Sequence, residues 1–543
     1  MKSNNLKIFI GIFTFWVMVL PATAQDTSRR KTIEITSTFK PSLLPQDKIV
    51  FTASPAPADT TRPVFQYNLP SQNLAMRFTP ATLRPLAYEA DSALLKENTA
   101  LLKLGYGNYQ TPFIRALATF GNGIKSSGSL EADYTGSKGN LPLQQYQQYG
   151  AKAHAWINTS PNHTFRVNGG FDGLHTYQYG YRPQDKPVDA DSLKLRYTHL
   201  YGGAGLANKN GGDAQIYYDG QVAAHLFNDN RDGREATFNF NLPVQMPIGE
   251  HAMLQVGIKG MVSRFNGEKN QFTNNLFQLP VGASVVLNEN LNLKGLLIPS
   301  WSNKQFKLLP DIGLEYKMED NNLVLQAGVK GSYAENTFRT LVNQNPWVQQ
   351  PDTLLNTRQM EVFAAIKSMV SEAVSFRAKL GVGKLYDVPL FVNSGTDGRV
   401  FQTLWEPTLN LLSLSGEFVY QPSEQLFWSN TLTINSYSQL KQYDKAFGLL
   451  PVELRSSLRY MITKELALKA DLYQFSGPYY REQNGSSKRG KAALDLNAGL
   501  EYAFKERLSF WLQFNNIINQ DYQRWNQYQV LGFQALGGVI VKL

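Results

Sequence analysis

The stretch ALDLNAGLEYAFKERLSFWLQF, from Ala493 to Phe514, decides the fold class. From Leu494 to Phe504 every second residue is apolar, and most residues between them are polar or glycine. After Lys505-Glu506-Arg507 the alternation restarts and continues to Phe514. A period of two is typical of a β-strand with one apolar face, so the stretch predicts two strands joined by a tight turn. The partner of that face is another sheet, a helix or lipid.

The same alternation recurs through residues 98–543, for example in 214–224, 236–244, 323–329, 374–382 and 466–472. The opposite face is rich in Gly, Asn, Gln and Ser, with isolated charges of both signs, which favours the wet interior of a membrane barrel. A soluble β-sandwich or propeller would carry a charged outer face instead. After Leu20 no run reaches the roughly 18 apolar residues of a membrane helix. We therefore predict an all-β, transmembrane antiparallel β-barrel.

The connectors alternate between short and long. Short ones include 160–162, 209–212, 288–290, 319–321 and 505–507, and the longer ones are 137–146, 176–193, 334–356, 386–404, 476–489 and 518–527. Outer-membrane barrels have short periplasmic turns and longer extracellular loops. Counting the alternating segments gives about 20–22 strands, an even number if both ends lie in the periplasm. We expect lipid to contact the apolar faces, in the outer membrane of a Gram-negative bacterium.

Composition excludes several classes of function. The net charge of +10 comes from scattered Lys and Arg without a basic block, so no nucleic-acid partner is predicted. The absence of cysteine excludes disulfides and thiolate metal sites. No HExxH, GxSxG or P-loop motif occurs, and the six histidines lack metal-ligand spacing. We predict no enzyme activity, no metal and no cofactor.

The N-terminal 97 residues differ from the rest of the chain. Residues 1–24 predict a signal peptide, with Lys2 and Lys7, an apolar run from Ile8 to Leu20, and the small-residue cleavage site 22–24. Residues 25–97 contain eight prolines and predict an extended periplasmic segment. This segment is either a flexible lead-in or a part that docks on a periplasmic partner or partly enters the barrel.

The C-terminal stretch LQFNNIINQDYQRWNQYQVLGFQALGGVIVKL (Leu512–Leu543) resembles the last two strands of TonB-dependent receptor barrels. IEITSTFKPSL (Ile33–Leu43) and LKLGYGNYQTP (Leu102–Pro112) resemble the opening of a plug-less, TonB-receptor-like group of Bacteroidetes-type bacteria. The resemblance implies an outer-membrane barrel that binds or transports a solute. True TonB-dependent receptors carry a folded plug before the barrel, whereas residues 25–97 are too few and too rich in proline for one. No functional residue of the family is carried over, because its coupling residues lie in that part.

Two sets of residues are candidates for function. Tyr177, Tyr179, Tyr181 and Trp347 lie in predicted loops, where aromatics bind an extracellular ligand or form the girdle at the lipid interface. The predicted lumen lining includes Lys103, Arg377, Lys379, Lys469, Asp495 and Glu501, and leans slightly cationic. Two alternatives to solute transport stay open: a non-enzymatic scaffold that anchors a periplasmic or surface complex, and a passive channel. A wide barrel would leak if empty, so we expect side chains, loops or the N-terminal segment to fill the lumen.

Overall fold

The structure, a computed structural model, describes residues 100–123, 125–180, 189–212, 215–318, 322–394, 398–482 and 484–543. The predicted signal peptide, the proline-rich segment 25–97 and Tyr181 lie outside the described residues. Within the described ranges, none of the helices has the length and apolarity needed to cross a bilayer.

Strands make up most of the described chain. They are β1 (Ala100–Gly107), β2 (Thr111–Gly121), β3 (Ser126–Ser137), β4 (Tyr146–Ser160), β5 (His163–Tyr177), β6 (Lys194–Asn208), β7 (Tyr217–Asp229), β8 (Arg234–Ile248), β9 (Ala252–Asn266), β10 (Gln271–Gln278), β11 (Val281–Asn288), β12 (Leu291–Ser302), β13 (Gln305–Met318), β14 (Leu323–Ala334), β15 (Thr357–Ser371), β16 (Val374–Asn393), β17 (Phe401–Ser423), β18 (Leu426–Ser438), β19 (Val452–Met461), β20 (Leu466–Phe475), β21 (Tyr479–Arg481), β22 (Ser487–Arg489), β23 (Ala493–Lys505), β24 (Leu508–Asn515), β25 (Gln523–Trp525), β26 (Tyr528–Gln529) and β27 (Gln534–Lys542). Helix α1 spans Phe338–Gln344, and 3-10 turns occupy Asn108–Gln110 and Ala190–Leu193.

The strands close into one antiparallel barrel. The main sheet contains 23 strands, and β1 pairs with both β2 and β27, which closes the ring. Strands β10 and β11 both pair with β9 and β12, so they form one crossing that is interrupted at Leu279-Pro280. Proline lacks the backbone N–H that a ladder needs, which explains the interruption. The barrel therefore has 22 crossings, and the predicted fold class is confirmed.

The two ends of the barrel differ in the length of their connectors. At one end two-residue turns such as 506–507 join the strands, and at the other end loops such as 335–356 and 516–533 do so. The predicted connector 386–404 is wrong, because β16 continues to Asn393 and β17 starts at Phe401. Its proline and polar residues hide the alternation, but Val388 to Asn393 still pair with Phe401 to Glu406. The loop 439–451 is long as well, and it is not among the predicted connectors.

The barrel is apolar outside and polar inside, and the hairpin β23–β24 illustrates this. Tyr502, Phe504 and Leu512 are 48%, 52% and 50% exposed, whereas Asp495 and Asn497 are buried. Leaving such a side chain in water forgoes about 1.5–3 kcal/mol each, so a belt of them is stable only against an apolar solvent. The same belt surrounds the barrel, from Leu104 to Leu512. Lipid is therefore the environment of the outer face.

A glycine-lined seam joins the last strands to the first. Trp511 of β24 reaches across β27 towards β1, and its indole N–H donates to the carbonyl of Leu104 at 3.1 Å. A Cβ on Gly105 would overlap the Trp511 ring, and a Cβ on Gly538 would overlap the backbone of Leu104. Only glycine allows these close approaches. The closure of the barrel thus depends on residues that lie more than 400 positions apart in sequence.

Candidate functional site: the barrel interior and its long-loop end

Inward side chains form ion pairs, most of them between neighbouring strands. Arg115 of β2 and Lys152 of β4 lie 2.6 and 3.0 Å from the carboxylate of Glu131 on the strand between them. Further pairs are Lys294–Asp311 (2.7 Å), Lys379–Glu361 (2.7 Å), Arg377–Glu417 (3.8 Å), Arg455–Glu453 (2.6 Å), Lys469–Glu501 (3.9 Å) and Arg166–Asp219. The carboxylate partners neutralise most of the slight cationic excess that the sequence suggested. The wall is polar, and many of its inward charges are paired.

Lys103 differs from these cations because an aromatic ring is its nearest partner. Its Nζ lies 4.3 Å from the centroid of the Trp511 ring, a cation–π contact of about 0.5–2 kcal/mol. It forms no ion pair with a carboxylate of the described residues. Together with Lys469, Glu501 and Gln513 it lines a recess in the inner wall. Lys103 stands three residues from the short-turn end of β1, so the recess lies in the half of the lumen away from the long loops.

The β14–β15 loop (335–356) folds into the barrel through helix α1. The helix buries Phe338, Leu341 and Val342. The ring of Phe338 packs edge-on against Phe227 of β7 and Phe265 of β9, with centroids 5.5 and 5.1 Å apart. Both partners belong to the inner face of the wall, because they are buried while the alternating residues are exposed. The loop thus occupies the interior at the long-loop end.

A buried carboxylate anchors the start of helix α1. Glu235 of β8 is 3% exposed, and its oxygens accept the backbone N–H groups of Phe338 and Arg339, the latter at 3.2 Å. Thr337 caps the same turn by accepting the N–H of Thr340 at 3.1 Å. The first N–H groups of a helix have no partner within the helix, so they suit an inward carboxylate. Glu235 ties the loop to the wall.

An asparagine cluster fixes both ends of the same loop. The amide of Asn274 on β10 donates to the carbonyl of Asn336 at 2.7 Å and exchanges hydrogen bonds with the amide of Asn356, both at 3.0 Å. Asn303 donates to Asn274 at 2.8 Å. Since Asn336 and Asn356 stand at the two ends of the loop, one strand residue holds both. These buried amides are mutually satisfied, which makes the docked position specific.

Two of the predicted recognition residues, Tyr179 and Trp347, have their rings in the interior at this end of the barrel, and Tyr177 is the last residue of wall strand β5. Trp347 is 2% exposed and stacks on Tyr528, with centroids 3.7 Å apart. Tyr179 packs edge-on against both rings, and burial raises the pKa of its phenol. Tyr177 contributes its backbone carbonyl, which accepts the indole N–H of Trp347 at 2.9 Å. The rings of Tyr179 and Trp347 therefore pack inside the protein, away from the lipid interface.

These rings belong to a larger set, which we call the mouth cluster. It consists of Leu195, Tyr197, Phe227, Phe265, Phe338, Leu341, Val342, Trp347, Val348, Leu354, Phe391, Phe401, Trp525 and Tyr528. Its members come from strands β6, β7 and β9 on one wall, from β16 and β17 on the other, and from the loops 335–356 and 516–533. Strands β6 and β17 stand almost opposite each other in a ring of 22 crossings. The mouth cluster therefore bridges the barrel at its long-loop end.

Two further buried carboxylates hold other loops. Glu406 of β17 is 0% exposed and accepts the backbone N–H groups of Lys441, Gln442 and Tyr443, which fixes the loop 439–451. Asp495 of β23 accepts the hydroxyl of Tyr522 at 2.7 Å, which fixes the loop 516–533. Burial, with the negative charge of Asp495 beside it, raises the pKa of Tyr522. Inward carboxylates near the long loops thus act as anchors.

A buried cation also belongs to the loop 516–533. Arg524 donates to the carbonyl of Gly448 at 2.8 Å and lies over the ring of Trp525 at 4.3 Å. Burial lowers the pKa of its guanidinium to about 10. The contact joins the loops 439–451 and 516–533, so the long loops are connected to one another as well as to the wall.

The sequence located the inward charges but missed the anchors. Lys103, Arg377, Lys379, Lys469, Asp495 and Glu501 all lie on the inner side of their strands, in the contacts described above. The sequence does not distinguish Glu235 and Glu406 from other inward polar residues, because each is a single carboxylate in an alternating strand. Their role depends on backbone N–H groups about 103 and 35 residues away, which no local pattern indicates.

Solved structures share this architecture. The siderophore receptor PirA from Acinetobacter baumannii matches with a TM-score of 0.64 and 10% identity, over 83% of this chain and 81% of that one. The FrpB iron transporter from Neisseria meningitidis matches with a TM-score of 0.64 and 12% identity, over 83% and 82%. A mutant of the ferric enterobactin receptor PfeA from Pseudomonas aeruginosa matches with a TM-score of 0.61 and 11% identity, over 82% and 81%. The barrel has the fold of TonB-dependent receptors.

The likeness concerns the fold, since the identities are only 10–12%. No protein-family model and no curated protein sequence matches the chain. The residues that set a ligand or a partner for this protein therefore have to be argued from its own contacts.

Proposed function

We propose that this protein is an outer-membrane, receptor-like barrel that binds a solute and moves it across the membrane, without enzymatic activity. The observation that carries this proposal is the mouth cluster, which bridges a 22-crossing barrel whose wall is otherwise polar. A permanently open pore would not need loops anchored across its lumen. The receptors of similar fold have titles that name siderophores and iron as their cargo, which supports uptake of a solute here.

The finer proposal is that the barrel has no plug of its own and belongs to a plug-less, Bacteroidetes-type group. The proline-rich composition of residues 25–97 supports this view, because such a segment favours extended chain over a packed core. In this proposal the segment contacts a periplasmic partner that supplies the missing coupling. The long loops face the extracellular side, as in other barrels with short turns at the opposite end.

Ligand contact at the long-loop end needs the mouth cluster to loosen. Trp347 is buried and Tyr179 is half-buried beneath it, so a ligand reaches the Trp347 ring only after the loop 335–356 has moved away from the wall. The recess beside Lys103, near the other end, is then the next polar contact along the lumen. Entry and exit of a solute would thus use two different sets of side chains.

Single-channel conductance in planar bilayers tests the closed state. We expect the purified wild type to be nearly silent and the variant Phe338→Ser/Leu341→Ser to conduct, because the two serines remove the apolar face that holds helix α1 in the mouth. Asn343→Ala is the matched control, since Asn343 is exposed on the same helix. Large and steady conductance of the wild type would favour a passive channel. Silence of the double variant would show that the mouth cluster does not close the barrel.

A scaffold that anchors a periplasmic or surface complex is the second candidate, favoured by how firmly the loops are tied together. Cross-linking and pull-down with the full chain, compared with a chain lacking residues 25–97 but keeping the signal peptide, distinguish the two. Capture of a partner that depends on 25–97, with no solute flux in any variant, supports the scaffold. Flux that survives without a captured partner supports the transport role.

A further inference from the structure

Three arginines project from the outer face of the barrel at its long-loop end. Arg196 of β6, Arg234 of β8 and Arg264 of β9 are exposed, and the residues next to them, such as Glu235 and Phe265, are buried in the interior. Alternation therefore places the three guanidinium groups on the side of the barrel that faces lipid. We call Arg196, Arg234 and Arg264 the arginine patch.

The patch lies directly above the apolar belt. On the same face Arg264 is two residues from Val262, which is 51% exposed, and Arg196 is four residues from Leu200, which is 55% exposed. At about 3.3 Å per residue these arginines stand roughly 7–13 Å beyond the belt along their strands. That is the level where lipid acyl chains give way to headgroups. His175 pairs directly with Arg196, and its ring contacts the hydroxyl of Tyr149, as expected of an aromatic interface.

Arg234 and Arg264 are close together on one face, and Arg196 lies on the same face two strands from Arg234. Ala236 pairs with Arg264 and Asn266 pairs with Arg234, so the two arginines are diagonal neighbours, roughly 7–8 Å apart between strands. Arg234 also pairs with Asn228 of β7, which lies between it and β6. Two guanidinium groups at this spacing repel each other, and an anion bound between them relieves that repulsion.

No carboxylate of the described residues fills that role. None of the three arginines forms an ion pair with one. Asp229, the nearest in sequence to Arg234 on the neighbouring strand, is engaged elsewhere. Its Oδ1 accepts the N–H groups of Arg231 and Gly233, and its Oδ2 accepts the amide of Gln350 at 2.9 Å. The positive charge of the patch is left for a partner outside the chain.

The opposite side of the barrel has no such charge. On the nine consecutive strands β18, β19, β20, β23, β24, β27, β1, β2 and β3, all within the described ranges, the outward positions carry neither Lys nor Arg. An even coating of basic residues would serve general attraction to a membrane surface. Outside the patch, outward basic residues also lie on β15 and β16, at Arg358 and Lys384, so the basic charge occupies discrete sectors of the ring.

We propose that the arginine patch binds the phosphorylated headgroup of a lipid in the membrane leaflet at the long-loop end. Arginine matches phosphate oxygens with two parallel N–H donors, and the apolar belt below it accommodates the acyl chains of the same molecule. Gln271, on the neighbouring strand β10 and in contact with Arg264, adds an amide for the headgroup. This site lies on the outer surface, apart from the lumen, and goes beyond the proposed transport function.

Binding of a diphosphorylated glycolipid of the lipid A type to the purified full chain in neutral detergent tests the proposal. Arg196→Gln/Arg234→Gln/Arg264→Gln should weaken binding by at least about tenfold, because it removes three positive charges that attract the headgroup phosphates. The control Lys209→Gln/Lys464→Gln/Arg507→Gln removes the same charge from exposed short turns and should stay within about twofold of the wild type. Heat-dependent gel mobility verifies that each variant is folded.

Two further probes test whether the patch recognises phosphate and whether the phosphate must belong to a lipid. The dephosphorylated glycolipid should bind at least about tenfold more weakly than the phosphorylated one if the arginines recognise phosphate. Inorganic phosphate should compete only weakly, because it lacks acyl chains. Unchanged affinity of the patch variant, equal binding of the dephosphorylated lipid, or competition by inorganic phosphate at the affinity of the lipid would each overturn the proposal.

Discussion

The outer face of β23–β24 and the mouth cluster are built from the same residue types but obey different rules. Phe510 on the outer face is 45% exposed, whereas Phe338 in the mouth cluster is 1% exposed. The ring of Phe510 contacts fluid lipid, which accommodates any apolar shape. The ring of Phe338 packs against the fixed side chains of Phe227 and Phe265, which fit a phenyl ring in that position. In this barrel apolar character alone is required of the outer surface, whereas the mouth cluster also requires side chains of complementary shape.

The largest effect is expected from Trp347→Ala. The loss of a stacked, fully buried ring should destabilise docking of the loop 335–356 by about 3–5 kcal/mol. Hydrogen exchange of the amides in 338–344 measures this, with Asn343→Ala as the control on the same helix. Unchanged protection of helix α1 would show that the mouth cluster does not hold the loop by shape.

Leu412→Arg tests whether the outer face tolerates a charge. Leu412 is 48% exposed in the middle of β17, so a charge there should cost about 2–4 kcal/mol of folding free energy in lipid. Urea titration of the protein in vesicles gives the value, and Leu412→Phe is the control that keeps the position apolar. Equal stability of the Arg variant would mean that this position does not contact the hydrocarbon.

Glu235→Ala examines the anchor beneath the mouth cluster. Two backbone N–H groups lose a charged acceptor, at about 1.5–3 kcal/mol per hydrogen bond, although water that enters the gap recovers part of this. We expect faster proteolysis within 335–356 and unchanged barrel stability in urea. Glu315→Ala is the comparison variant, because Glu315 is an inward carboxylate that accepts a hydrogen bond from Gln326 on a neighbouring strand at 2.7 Å. If both variants gave the same proteolysis rate, Glu235 would not act as an anchor.

The smallest effect is expected from Phe510→Leu. A lipid-facing ring exchanged for another apolar side chain should change the folding free energy by less than about 1.5 kcal/mol. The same exchange at Phe338 should cost more, because its partners are fixed. Urea titration of both variants side by side checks the comparison, and equal costs would remove the distinction drawn between the two regions.

Much of the barrel follows from local sequence. The alternation in Ala493–Phe514 predicts both the hairpin and which of its faces contacts lipid, because a strand exposes successive side chains to opposite sides. The range of 20–22 strands includes the observed 22 crossings. The inward positions of Lys103 and Asp495 follow from the same period of two. The extended hairpin β16–β17 was missed, because Pro389 and polar residues interrupt its pattern.

The loops could not be derived in this way. Trp347 in the sequence is an aromatic residue in a polar connector, which suits a ligand contact or a lipid girdle equally well. Its packing against Tyr528, 181 residues later in the chain, arises only when the barrel brings their loops together. The anchoring role of Glu406 arises in the same manner, from the approach of the loop 439–451.

The sequence by itself determined the all-β barrel, its apolar outer face and its polar wall, because these depend on the alternation of neighbouring residues and on the solvent they meet. The tertiary structure alone decided that the long-loop end is bridged, which carboxylates hold the loops, and that three arginines from separate strands form one patch. These features depend on contacts between residues far apart in the chain, and such contacts exist only once the strands have closed into a ring.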